Sequence, residues 1–130
     1  MSGNGDSSAA VEAGLDAAVV DRAVDLTDVA ADALDDALVI LHAELIGRHS
    51  NLEADTDHVT VDGRRAYRVH ESVWDDFLEE FDFDDATEVA VRYAHTEQAK
   101  LLFATSVGGT DNFAPEEEGV VIGIDTAEQF

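Results

Sequence analysis

The chain has 130 residues, 45% of them hydrophobic, with 30 acidic and 7 basic side chains and a formal net charge of -23. That length and apolar content fit one folded domain and argue against wholesale disorder, while the absence of cysteine excludes a disulfide framework, thiol catalysis and Cys-ligated metal sites. No run reaches the roughly 18 apolar residues of a membrane-spanning helix, and no charged segment leads into an apolar one as in a secretory leader, so a cytoplasmic protein without membrane association is expected.

Residues 1–10 are rich in Gly, Ser and Asn, which predicts a frayed tail ahead of a single domain over residues 11–130. Leu15, Val19, Val20 and Val24 predict a short helix over residues 15–24, interrupted at Asp25-Leu26-Thr27. Thr27 is placed to N-cap a second, long helix running to about residue 50, with Asp28 favourable in its first turn. The apolar block 37–46 marks that helix as the most buried element. After a polar loop, Val59-Thr60-Val61, the turn pair Asp62-Gly63, and Tyr67 with Val69 predict a hairpin. Parity favours a three-residue loop bulged at Gly63, with Val59, Val61, Tyr67 and Val69 on one face. His58, Thr60, Arg64, Ala66 and Arg68 then share the other.

Ser72, followed three residues later by Asp75, suggests a capping box. It would open a helix whose apolar stripe is Val73, Trp74, Phe77, Leu78 and Phe81. A second long helix is expected over residues 86–107, stopped by Gly108-Gly109, and residues 119–124 read as a short buried strand. The order ααββααβ predicts an α+β fold: four helices, two of them long, with a small antiparallel sheet.

Projecting the long helices at 100° per residue sets three polar residues on apolar faces. His42 and His49 fall with Leu38, Leu45 and Ile46, and Glu97 falls with Ala90, Tyr93, Ala94 and Leu101. A carboxylate on an apolar stripe is costly unless paired. Packing the two helices so that His42 or His49 meets Glu97 would satisfy both groups, as a structural hydrogen bond, an acid–base pair or part of a divalent-metal site. Spacing argues against the metal. His42 and His49 stand about 10.5 Å apart along the axis, the two members of each His-x-Glu pair lie about 200° apart, and neither Glu-x-x-His nor His-x-x-x-His occurs. No cofactor is expected, and Glu44 is expected to pair with Arg48 at i,i+4.

Arg64, Arg65 and Arg68, with His58 nearby, gather three of the 7 basic residues into one hairpin. They suit an anion contact, whether a phosphate, a nucleic-acid backbone or an acidic partner surface. They equally suit local pairing with Glu53, Asp55, Asp57 and Asp62. A winged-helix DNA reader also has helices ahead of an Arg-bearing hairpin, but its recognition helix is short and polar or basic. Here the preceding helix is long and mostly apolar, with Asp32, Asp35 and Asp36 expected outside. Phosphate-loop, nucleophile-elbow, zinc-protease and dinucleotide fingerprints are all missing. The expectation is a binding module rather than an enzyme, meeting a protein partner or a second copy of itself through Arg64, Arg65, Arg68 and His58. The alternatives are a nucleic-acid-binding regulator using that hairpin, and a metal- or ligand-binding protein using His42, His49 and Glu97.

A folded chain of this length exposes roughly 6,700 Å², so its carboxylates number about one per 220 Å². At ordinary ionic strength such a density opposes compaction, whereas molar salt shortens the Debye length to about 3 Å. Asp dominates the acidic set, Lys100 is the one lysine, and Ala and Val dominate the apolar set. With the stretches Val39-Ile40-Leu41-His42-Ala43-Glu44-Leu45-Ile46-Gly47-Arg48-His49 and Val59-Thr60-Val61-Asp62-Gly63-Arg64-Arg65, this composition resembles small acidic proteins of haloarchaea. The resemblance implies a molar-salt cytoplasm and carries no activity and no site residue.

Overall fold

The computed structural model describes residues 15–55, 57–61, 63–106 and 113–123. In chain order these form α1 (Ala17–Leu26), α2 (Ala31–Asp55), β1 (Asp57–Val61), β2 (Arg64–His70), α3 (Glu71–Leu78), α4 (Asp85–Thr105) and β3 (Glu117–Gly123). The order is ααββααβ and the sheet is antiparallel throughout, an α+β fold. The expected tail over residues 1–10 and the Gly108-Gly109 stop lie outside the described residues.

The helix ends follow from particular side chains, not always the expected ones. Thr27 closes α1 instead of opening α2: its hydroxyl donates to the Ala23 carbonyl at 2.7 Å, its amide to the same oxygen at 3.1 Å. The same hydroxyl accepts the Val29 amide at 3.4 Å, but Val29 lies ahead of the helix, and α2 starts only at Ala31. At α3 the cap is His70, whose Nδ1 accepts the Ser72 amide at 3.1 Å; the expected Ser72 sits inside the first turn. Asp84 caps α4 by accepting the Thr87 amide at 2.9 Å, and Asp85 and Glu88 favour the positive end of the helix dipole.

In the hairpin, Val61 pairs with Arg64 and Val59 with Ala66, which leaves a two-residue loop with Gly63 at φ 77°. That backbone suits glycine in the primed turns that match strand twist. The expected three-residue bulged loop is therefore wrong, and so are its faces. Val59 and Val61 lie with Arg64, Ala66 and Arg68, while His58 and Thr60 lie with Arg65, Tyr67 and Val69. A single apolar face is what a hairpin covered from one side would need. β2 is instead the central strand, order β1-β2-β3, and its adjacent residues Ala66 and Tyr67 are both 0% exposed.

α4 lies against the sheet on the Ala66 side. Gly119 of β3 comes so close that a Cβ there would meet the Ala99 Cβ at 2.3 Å and the Thr96 Cα at 3.2 Å. Arg92 fastens the same helix to its neighbours, bonding both carboxylate oxygens of Glu118 at 2.8 Å and Asp75 Oδ1 at 2.7 Å. The core gathers Leu15 and Val19, then Leu34, Leu38, Leu41 and Leu45 of α2, with Tyr67, Trp74, Leu102 and the centre of β3. Asp35, expected outside, is buried, because it shares the α2 stripe of Leu38 and His42 at i+3 and i+7.

Candidate functional site

β3 has β2 on one side only. Alternate residues of a strand point their backbone groups the same way, so the other edge presents Gly119, Val121 and Gly123. Each of these amides donates to a side chain: Gly119 to Thr96 Oγ1 at 3.0 Å, Val121 to His95 Nδ1 at 3.0 Å, and Gly123 to His42 Nε2 at 3.1 Å. The Trp74 indole N–H completes the set, donating to the Gly119 carbonyl at 2.9 Å. Residues from α2, α3 and α4 thus take the place of a fourth strand.

An imidazole that accepts an amide must be unprotonated at that nitrogen, so both histidines are neutral. Burial holds His42 below the ordinary histidine range. Burial, aided by repulsion from His42, pushes His95 down to about 3. With Nδ1 accepting, the His95 proton sits on Nε2, a fully buried atom with no hydrogen-bond partner among the described residues; its ring centroid lies 5.3 Å from that of Trp74.

The expected partnership of His42 with Glu97 does not form. His42 is buried but faces the Gly123 amide, and Glu97 points to Lys100, Oε2 to Nζ 3.7 Å, with its side chain 32% exposed. The side chain of His49 lies outside the described residues. The buried arc of α4 runs through Val91, Ala94, His95, Gln98 and Leu102, and Glu97 lies about 120° from its middle. Polar side-chain type misled the projection: His95 and Gln98 are core residues, Gln98 Oε1 accepting the Asp16 amide at 2.8 Å. Among the described residues no three His, Asp or Glu side chains are grouped to hold a metal ion.

The hairpin arginines do not form one outward stripe. Arg64 Nη1 meets Asp16 Oδ1 at 2.8 Å, and Arg68 Nη2 meets Asp57 Oδ2 at 2.6 Å, with the Arg68 guanidinium 5.3 Å from the Phe103 ring centre. Arg65 lies on the opposite face and donates to Thr60 Oγ1 at 2.9 Å. His58, exposed on that same face, sets its ring 5.7 Å from Tyr67. Local pairing of Asp57 is thus seen directly. His70 Nδ1 also lies 2.9 Å from Ser72 Oγ, and the same nitrogen accepts the Ser72 amide as a helix cap.

One concavity has an apolar floor. A cleft of about 250 Å³ opens between α2, α3 and β3, lined by Leu45, Val73, Trp74, Phe77 and Val120 and rimmed by Arg48, Asp76 and Glu80. Arg48 lies 5.0 Å from the Phe77 ring centre and pairs with Glu80 and, as its spacing predicted, with Glu44 at 3.4 Å. The hydrogen bond to Glu80 raises its pKa further. The rim is left acidic. Nothing in the sequence joined Val120 to Leu45, though the Trp74 stripe was legible. The Trp74 side chain is shared: it lines the cleft while its N–H holds the β3 edge.

Comparison with curated proteins and with solved structures returns no match. Residues 13–124, from before α1 to the end of β3, match the model of a family described as Domain of unknown function (DUF8048). The chain belongs to that family.

Proposed function

We propose that this domain is a binding module of a molar-salt cytoplasm, of haloarchaeal type, whose cleft takes an apolar side chain of a protein partner. The observation that carries the reading is a cleft lined by apolar side chains, of which Val73 is 36% exposed, on a chain of net charge -23. At about 250 Å³ the cleft is smaller than the roughly 300–1,000 Å³ of pockets for drug-sized ligands. It suits one or two side chains better than a cofactor. Asp76 and Glu80 on the rim favour a partner segment that sets Lys or Arg beside its apolar anchor. At molar salt those charges act over about 3 Å, so the anchor supplies most of the affinity. The engagement of Arg64 with Asp16 and of Arg68 with Asp57 weighs against a phosphate-gripping hairpin.

The test is affinity capture from cells in molar KCl, comparing the parent with Val73→Asp, a change at a position exposed enough to leave the core alone. A protein retained by the parent and lost from the variant supports the reading. Equal retention by both, or recovery of nucleic acid as the retained species, overturns it.

A further inference from the structure

The two edges of the sheet are treated differently. The β3 edge is closed by side chains of Thr96, His95, His42 and Trp74. Because Gly119, Val121 and Gly123 face away from β2, the β2 residues bonded to β3 are Arg65, Tyr67 and Val69, and those facing β1 are Arg64, Ala66 and Arg68. Their β1 partners are Val61, Val59 and Asp57. The backbone groups of His58 and Thr60 therefore point outward, and no described residue bonds them. β1 pairs in unbroken register with no bulge, no proline and no lysine, the devices that ordinarily protect an edge.

We infer that two copies of this chain pair antiparallel through β1, about a two-fold axis at Val59, into one six-stranded sheet. In that register His58 stands opposite Thr60 of the partner subunit. Each such pair exchanges two backbone hydrogen bonds, and Val59 meets its own counterpart. The strand is its own complement, as a two-fold interface requires. Charge favours the same place. The hairpin carries three arginines against Asp57 and Asp62 in a chain of net -23, and Asp57 itself is neutralised by Arg68. Two copies meet less repulsion there than across the acidic helices. The capped β3 edge also stops growth: a β1-to-β3 contact would propagate into a filament, whereas β1-to-β1 closes at two. The contact is small, so the dimer is reversible and concentration-dependent. It lies on the opposite side of the sheet from the cleft wall at Val120 and is independent of what the cleft binds.

The test is sedimentation of the full chain in molar KCl over a concentration series, with Thr60→Pro and Thr60→Val. Proline is tolerated on an edge strand where the amide faces solvent, so Thr60→Pro keeps the β1–β2 ladder and removes one outward donor per copy. Dimerisation should weaken roughly tenfold or more, two hydrogen bonds being lost per dimer. Thr60→Val loses only the side-chain bond from Arg65 and should dimerise as the parent does. Amide exchange on the parent supplies a reading free of any folding defect: His58 and Thr60 should be protected more at high protein concentration than at low. A parent that is monomeric throughout, equal dimerisation by Thr60→Pro and the parent, or exchange at these two amides that ignores concentration, would overturn the inference.

Discussion

Val121 donates its amide proton to Nδ1 of His95 at 3.0 Å, inside a core where that imidazole is 0% exposed. Two residues along the strand, Gly123 makes the same kind of bond to His42. An unprotected strand edge is a template for pairing with another chain, and a helix side chain that supplies an acceptor removes it. The two histidines therefore set the register of α2 and α4 on β3 as a ladder would, and they do so only while neutral.

The first prediction is a loss of stability in mild acid. Unfolded histidine takes up a proton near pH 6.5, whereas folded His42 does so lower and folded His95 only at about 3. Below pH 6.5 the unfolded state binds more protons, so stability is full above that pH and declines as pH falls toward 3. Each histidine contributes at most about 1.4 kcal/mol per pH unit. Thermal melts in molar KCl should be level from pH 8 to about 7 and drop progressively below 6. A Tm unchanged between pH 7 and pH 5 would show that these imidazoles do not hold the strand in the neutral form.

The second prediction concerns the contact of α4 with β3. Gly119→Ala places its methyl carbon 2.3 Å from the Ala99 Cβ, an overlap that neither a strand nor a helix backbone relieves without shifting. Overpacking of this kind costs about 1–3 kcal/mol, and here the shift would also strain the bonds of Trp74 and Thr96 to Gly119. Pairing it with Ala99→Gly removes the clash at the cost of about 1 kcal/mol of helix propensity. The double variant should therefore melt above Gly119→Ala alone. A double variant no better than the single would place the cause elsewhere.

Element order was legible because the chain punctuates it: Asp62-Gly63 at the hairpin, a tight apolar stripe around Trp74, and a break at Asp25-Leu26-Thr27. What was not legible depends on partners distant in sequence. His95 and Gln98 were not among the residues set on the apolar faces, because the Val121 and Asp16 amides that satisfy them lie 26 and 82 residues away. The hairpin faces were misread for a related reason, since nothing local says that Ala66 and Tyr67 are covered from opposite sides. Of the candidate residues, His42 was placed correctly in the interior with the wrong partner. The cleft could not be assembled before α2 was known to reach β3.

The third prediction separates Glu97 from its neighbour. Glu97 is a third exposed and its pairing with Lys100 is a surface i,i+3 contact, worth at most about 0.5 kcal/mol and less in molar salt. Glu97→Ala should barely change the Tm. Gln98→Ala removes the acceptor of the Asp16 amide and leaves a part-buried donor unpaired, a loss of about 1–3 kcal/mol. Melting the two variants side by side checks the orientation of α4, and a larger effect at Glu97 than at Gln98 would mean the helix is rotated from the position described.

The last prediction follows from charge density. Thirty carboxylates on a surface of 6831 Å² stand roughly 15 Å apart. At molar KCl that spacing is about five Debye lengths, and at 0.1 M it is about one and a half. Repulsion negligible in the first case is therefore only partly screened in the second, and it adds up over many neighbours. The ion pairs of Arg48, Arg64, Arg68 and Arg92 strengthen at low salt, but they engage only a minority of the acidic groups and cannot offset the rest. The cooperative melt followed by circular dichroism should shift to lower temperature as KCl is diluted, and the fold should be lost near 0.1 M. NaCl at equal ionic strength should restore it as well as KCl does, since the effect is screening. Restoration by KCl alone would point to bound potassium, and a melt indifferent to dilution would mean that the acidic surface does not govern folding at all.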